Sequence, residues 1–178
     1  MRDTPIKLPP SGHCHVRLRW LTRDDAPAWF RIISRPEIRA QTSWNISSPA
    51  GLDAIFDALV PGAPSPELRI GIAGEDNELL GTIGFHTINA RHASAELAYE
   101  LSPAVWGQGI ATAVVGQVAA WGLQQFGWQR LQATVLDTNT ASARVLVKCG
   151  FALEGRLRNL RRVGGVSRDF DVYSRVPA

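Results

Sequence analysis

A chain of 178 residues with 45% hydrophobic and 20% charged residues has the make-up of one globular domain with a sizeable core, which excludes a mainly disordered chain. Its formal net charge of +3 does not by itself argue for nucleic acid as the ligand. Cys14 and Cys149 make neither a disulfide framework nor a metal site, and no stretch of about 18 apolar residues exists to span a bilayer, so the expected setting is the cytoplasm.

Residues 1–12 are polar and proline-rich and read as a flexible tail, leaving 13–178 as the single domain. Val16 to Leu21 reads as a first strand, and Thr22-Arg23-Asp24-Asp25 as the cap of a helix that carries Trp29, Ile32 and Ile33 and ends before Pro36. Arg35 to Ser48 is a loop or short helix holding Trp44. Pro49 to Leu59 places Leu52, Ile55, Phe56 and Leu59 at helical spacing. Pro61 to Pro66 is too proline-rich for any regular element.

Leu68–Ala73 and Leu79–Phe85 form a hairpin that a strand from Ala95 continues as an antiparallel meander. In that strand Leu97, Tyr99 and Leu101 share one face, and Glu96, Ala98 and Glu100 the other. Ser102-Pro103 ends it. A helix follows from Gly107 to about Gln125, apolar around most of its circumference and stopped by Gly127. Leu131–Leu136 is a fifth strand, parallel to its neighbour after the crossover. Asn139 caps a helix to Lys148, closed by Gly150, and Phe151–Leu160 with Arg168–Val176 makes a last hairpin. The expected fold is α/β: a mixed, mostly antiparallel sheet of about seven strands flanked by about four helices.

The strand, Gly107-Gln108-Gly109 turn and helix N-terminus make an anion cradle, because unpaired N–H groups and the positive dipole end converge there. A plain turn packed through its glycines is the competing reading. Thr112 stands where a dinucleotide fingerprint needs glycine, and no Gly-Lys-Ser/Thr follows, so neither common nucleotide loop is present. His13 and His15 read as a tail or strand-edge pair rather than a metal site.

This order of elements resembles the GNAT superfamily of acetyl-CoA-dependent N-acetyltransferases, and within it the ribosomal-protein serine/alanine N-terminal acetyltransferases. Two motifs carry the resemblance. Trp106-Gly107-Gln108-Gly109-Ile110-Ala111 is similar to the family's pyrophosphate turn, Gln/Arg-x-x-Gly-x-Gly/Ala, with Trp106 departing from the leading Gln/Arg; a main-chain role at that position would tolerate the change. Asn139-Thr140-Ala141-Ser142, with Gly150-Phe151 closing the helix, is similar to the family's Asn-x-x-Ser segment.

The resemblance implies acetyl-CoA as co-substrate without a metal, and a sheet splayed between the fourth and fifth strands. Leu101, Ser102, Trp106, Gly107, Gln108, Gly109, Ile110, Ala111 and Thr112 would hold the coenzyme together with Asn139. It implies Glu96 as general base and Ser142 as a hydrogen-bond or proton donor to the leaving sulfur, with Tyr99 and Tyr173 as other donors. Desolvation is expected to raise the pKa of Glu96. Glu100, about 13 Å further along an ideal strand, is read as structural or acceptor-facing, and Cys149 as core. Trp29 and Trp44 line the acceptor pocket or fill core. The Arg156, Arg158, Arg161 and Arg162 run is a solvated hairpin edge or a contact to acceptor, RNA or coenzyme. The implied acceptor is a primary amine, a protein N-terminus first, with a small-molecule amine or an idle acyl-CoA-binding module as alternatives. No membrane is involved, nucleic acid enters only through a ribosome, and a homodimer is open.

Overall fold

A computed structural model describes residues 6–60, 62–64 and 66–177. Residues 1–5 of the expected tail, and Pro61 and Ser65 of the proline-rich loop, lie outside the described residues. The rest of the N-terminal segment is tied down: Leu8 packs on the main core, and the Ser11 hydroxyl, 2.6 Å from Val16 O, donates to a backbone carbonyl.

Seven strands form one sheet in the order β1-β2-β3-β4-β5-β7-β6: β1 (Arg17–Trp20), β2 (Leu68–Ala73), β3 (Leu79–Asn89), β4 (Ser94–Leu101), β5 (Arg130–Leu136), β6 (Ala152–Val163) and β7 (Val166–Arg175). Short hairpin turns can only join antiparallel neighbours, and all pairs but one are antiparallel. The exception is β4–β5, joined by the crossover helix α4 (Ile110–Phe126) and therefore parallel. The remaining helices are α1 (Ala26–Ile33), the one-turn α2 (Pro36–Arg39), α3 (Asp53–Ala58) and α5 (Thr140–Lys148). The α2 turn resolves the Arg35–Ser48 ambiguity in favour of a short helix, capped by the fixed φ of Pro36 at its first position.

Two large apolar clusters hold the layers, and Leu136, Val163 and Phe170 make a small further one. Ile110, Val114, Val118 and Ala119 of α4 pack with Ile83, Phe85, Leu97 and Leu131 of the sheet. Gly122 is where α4 comes closest, since a Cβ there would sit 2.6 Å from Phe85 Cζ. Trp29, Ile32, Ile33, Leu52 and Phe56 form the second cluster from the N-terminal helices. Each fully buried side chain of this size stabilises by about 1.5–3 kcal/mol.

The feature that positions the site is a short ladder. β4 and β5 pair only at Ser94–Arg130, Ala95–Leu131 and Glu96–Gln132, although β4 runs on to Leu101 and β5 to Leu136. Beyond Glu96 the strands diverge. The Ser102 N–H donates to Leu80 O across β3, so strand alternation turns the backbone groups of Tyr99 and Leu101 into the opening.

Candidate active site in the β4–β5 opening

Two cavities meet at this opening. The first, about 760 Å³, is lined by Leu101, Trp106, Gly107, Gly109, Ile110, Ala111 and Thr112 on one side and by Asn139, Thr140, Ser142 and Arg144 of the α5 region on the other. The second, about 410 Å³, is lined by Trp44, Glu67, Arg69, His86, Glu96, Thr134 and Arg161 among others. Gln41, Thr42, Tyr99, Glu100, Asn139 and Ser142 border both.

The first cavity is built for an anion. Gly107 and Gly109 hold φ of 76° and 79°, and nothing lies within 4 Å of a Cβ placed on either. Their glycine identity therefore serves the left-handed backbone and not close packing. The first intrahelical bond of α4 is Ala113 N–H to Gly109 O, at 3.0 Å. The N–H groups of Ile110, Ala111 and Thr112 thus have no carbonyl within the helix and point out of its positive end. A pyrophosphate fits this cradle. From outside, His13 Nε2 donates to Gln108 O at 3.1 Å and steadies the turn.

Ser102 and Gln108 are set back from the cavity lining; the Ser102 N–H is engaged by Leu80 O, and the Gln108 carbonyl, which is not the group that would meet a phosphate, accepts from His13. Trp106 also departs from expectation. Its main-chain N–H donates to Pro103 O (3.2 Å), and its indole Nε1 donates to Leu101 O at 2.8 Å. The tryptophan ties the turn to the end of β4 instead of offering an N–H to phosphate.

Asn139 caps α5 as expected, its Oδ1 accepting from Ser142 N–H at 3.1 Å. Ser142 lies at the junction of the cavities, and Tyr99 O–H donates to Ser142 O at 3.4 Å. Burial pushes the Tyr99 phenol up to about 12, so it remains a donor at neutral pH. Tyr173 is buried in the main core and Cys149 is buried with its Sγ 3.3 Å from Thr112 O; neither borders a cavity. Burial raises the Cys149 thiol as well, the opposite of what a nucleophile needs.

Register builds the acceptor side. Cross-strand pairing sets His86 opposite Glu96, Thr82 opposite Glu100, and Gly84 between Arg69 and Ala98. Glu100 is structural: it is buried and accepts from Trp29 Nε1 (2.6 Å) and from the Thr82 hydroxyl. Trp29 is accordingly core, fully buried, whereas Trp44 lines the second cavity. The Arg69 guanidinium lies 5.2 Å from the Trp29 ring centroid and 5.6 Å from that of Trp44, and donates to Ala98 O at 3.1 Å.

Glu96 is buried and heavily partnered. Its Oε1 accepts from Thr134 Oγ1 (2.6 Å) and Arg161 (3.2 Å), its Oε2 from Gln132 (3.4 Å), and His86 Nε2 stands 3.9 Å from Oε1. Burial pushes the Glu96 carboxyl up, but the Thr134 hydroxyl, His86, Arg161 and Gln132 together outweigh it and hold the group below its ordinary value. The expected upward shift is thereby corrected; Glu96 is ionised at neutral pH. His86 moves down as well, chiefly through burial, with Arg69 and Arg161 adding to the effect against the pull of Glu96.

His86, Arg69 and Thr134 were not singled out by the sequence, and Arg161 was read with its neighbours as one run. Two backbone irregularities adjoin His86 and Arg161. β3 shifts register between His86 and Asn89 with Thr87 at φ 51°, and β6 shifts between Leu157 and Arg161 with Asn159 at φ 53°. A β-branched residue in the left-handed region costs on the order of 1–3 kcal/mol and persists only where its surroundings enforce it. Bulges of this kind re-aim side chains beside functional sites. Arg156, by contrast, pairs with Asp171 (2.8 Å) and points away from the cavity.

Residues 15–152 match the acetyltransferase (GNAT) domain family. The uncharacterized N-acetyltransferase YoaA of Bacillus subtilis is 36% identical over 162 residues, covering 88% of this chain and 90% of that protein. Among solved structures, the ribosomal-protein-S5-alanine acetyltransferase of Vibrio fischeri superposes with a TM-score of 0.81 at 20% identity, covering 92% of this chain and 94% of that one. The spermidine N-acetyltransferase of Vibrio cholerae, in complex with CoA and spermine, gives 0.80 at 20% identity, with 91% and 95% covered. With the splayed sheet and the glycine cradle at the start of α4, these matches establish that the chain belongs to the GNAT acetyltransferase family and uses acetyl-CoA.

Proposed function

We propose that this enzyme acetylates the α-amine of a protein N-terminus, of the ribosomal-protein type, by direct transfer in the cytoplasm. The fold does not choose the acceptor, since the ribosomal-protein and spermidine enzymes superpose equally well. The observation that carries the reading is that guanidinium groups stand in the wall of the second cavity among its carboxylates: Arg161 pairs with Glu96, and Arg69 lies over the Trp44 ring beside Glu67 and Glu100. A polyamine, cationic along its length, would have to pass Arg69. A peptide brings one ammonium together with carbonyl oxygens, which a fixed guanidinium binds well.

Acetyl-CoA supplies the activated acetyl group. Gly107 to Thr112 would hold its pyrophosphate, and the Leu101 and Tyr99 backbone its arm, in line with an amine arriving from the second cavity. Asn139 and Ser142 border that line, and the Ser142 hydroxyl would hydrogen-bond the leaving sulfur. The ionised Glu96 attracts the ammonium and anchors the group of side chains that receives its proton.

The test is free-thiol release from acetyl-CoA with peptides beginning in serine or alanine, with spermidine and with an aminoglycoside. The expected result is a kcat/KM at least tenfold higher for the peptides. A preference for either polycation would overturn the reading.

A further inference from the structure

We propose that His86 is the residue that takes the proton from the acceptor amine, and that Glu96 is its charge partner. The proposal rests on the N-acetyltransferase reading of this cavity and assigns within it the atom that does the work. Glu96 is poorly placed to accept a proton itself: both oxygens already accept hydrogen bonds, from Thr134 and Arg161 on one and Gln132 on the other. The imidazole beside it is less encumbered. His86 lines the same cavity with its side chain 25% exposed, against 7% for Glu96.

His86 Nδ1 lies 2.8 Å from Thr87 Oγ1, a hydroxyl that accepts from Nδ1–H in one tautomer and donates to Nδ1 in the other. The base role belongs to the first, in which Nε2, 3.9 Å from Glu96, carries the lone pair. The left-handed Thr87 and the β3 bulge hold the ring in this position. The charged groups facing it are Glu96 from β4, Arg69 from β2 and Arg161 from β6. Burial first, and then the two guanidinium groups, favour the neutral ring before reaction, and Glu96 offsets the charge once a proton arrives. A neutral imidazole beside a fixed carboxylate is one arrangement that serves general-base catalysis near pH 7.

The step balances. The ammonium N–H bond breaks and its proton goes to His86 Nε2, giving imidazolium. The freed nitrogen lone pair forms the bond to the thioester carbonyl carbon, the C–S bond breaks, and the second nitrogen proton leaves with the sulfur or through solvent. The imidazolium then returns its proton to water.

The test compares pH profiles of wild type, His86→Gln and Glu96→Gln, using whichever amine of the acceptor panel is turned over, so that failure of the peptide reading leaves this comparison intact. For His86→Gln the expectation is a kcat lower by about 10²–10⁴-fold at pH 7, an unchanged KM for acetyl-CoA, and recovery of rate at high pH where the amine is already deprotonated. Glu96→Gln should keep the acidic limb of the profile but shift it to lower pH, because the imidazolium loses its partner. A readout independent of either variant's folding is the NMR titration of His86 in the wild-type protein, whose midpoint should coincide with the acidic limb of kcat/KM. A His86→Gln enzyme within threefold of wild type across the pH range, or a His86 midpoint unrelated to the kinetic limb, overturns the proposal and returns the base role to Glu96.

Discussion

Glu100 and Glu96 are two carboxylates on one face of one strand, and their neighbours give them different work. Glu100 is enclosed by an indole N–H and a hydroxyl that both donate to it. Both donors reach the same oxygen, so replacing Glu100 by alanine removes the acceptor of each. Glu100→Ala should therefore lower unfolding free energy by about 1–3 kcal/mol, the cost of leaving a buried polar group unsatisfied, read as a reduced urea midpoint. A variant as stable as wild type would show that Glu100 is not the strut described. Glu96, which lines only the second cavity, instead pairs with residues from three other strands.

At the scale of elements, the turn before α4 is a cradle because its backbone conformation, and not its packing, demands glycine. An alanine at 107 or 109 meets no neighbour but must adopt φ near +75°. Gly107→Ala and Gly109→Ala should each weaken CoA binding about tenfold, corresponding to a left-handed penalty of about 1–2 kcal/mol. Asparagine should do less damage at either position. Isothermal titration with CoA checks both; equal affinity in the alanine variants would mean that the turn does not hold the coenzyme.

These local elements were legible in the sequence. The Gly107–Ala111 turn, the Asn139 cap, the alternation of β4 and the parallel β5 all follow from spacing within a short stretch. What was not legible depends on register between distant strands. Nothing around His86 marks it: it becomes a site residue because β3 pairs it with Glu96 and a bulge at Thr87 turns it inward. Arg161 sits among arginines of similar appearance, and only the β6 bulge separates it from Arg156, which pairs with Asp171. The direction of the Glu96 shift was missed for the same reason, since burial was foreseeable but Thr134 and Arg161 lie 38 and 65 residues away.

For the whole molecule, buried titratable groups set a pH dependence of stability. His86 has a folded pKa below its ordinary 6.5, so the unfolded chain binds the proton more readily and stability falls as pH drops below about 6.5. Glu96 and Asp25 are both held below their ordinary values of 4.5 and 3.8. Their contribution is complete above those values and is lost as pH falls through the lower folded ones. Thermal unfolding should show two acid-side declines, one beginning near pH 6.5 and one below about 4.5. The first should be absent in His86→Gln; a profile that is flat from pH 7 to 5 would contradict the buried neutral imidazole.

The two cavities share Tyr99, Asn139 and Ser142, with the Gly107–Thr112 turn lining one and Arg69 and Arg161 the other. The amine that enters the second cavity decides the reaction. The most direct measurement is mass-spectrometric mapping of a peptide that begins with serine and contains an internal lysine, after incubation with enzyme and acetyl-CoA. Acetyl confined to the α-nitrogen is the predicted result. Acetyl on the lysine side chain, or a peptide left unmodified while spermidine is acetylated, would contradict it.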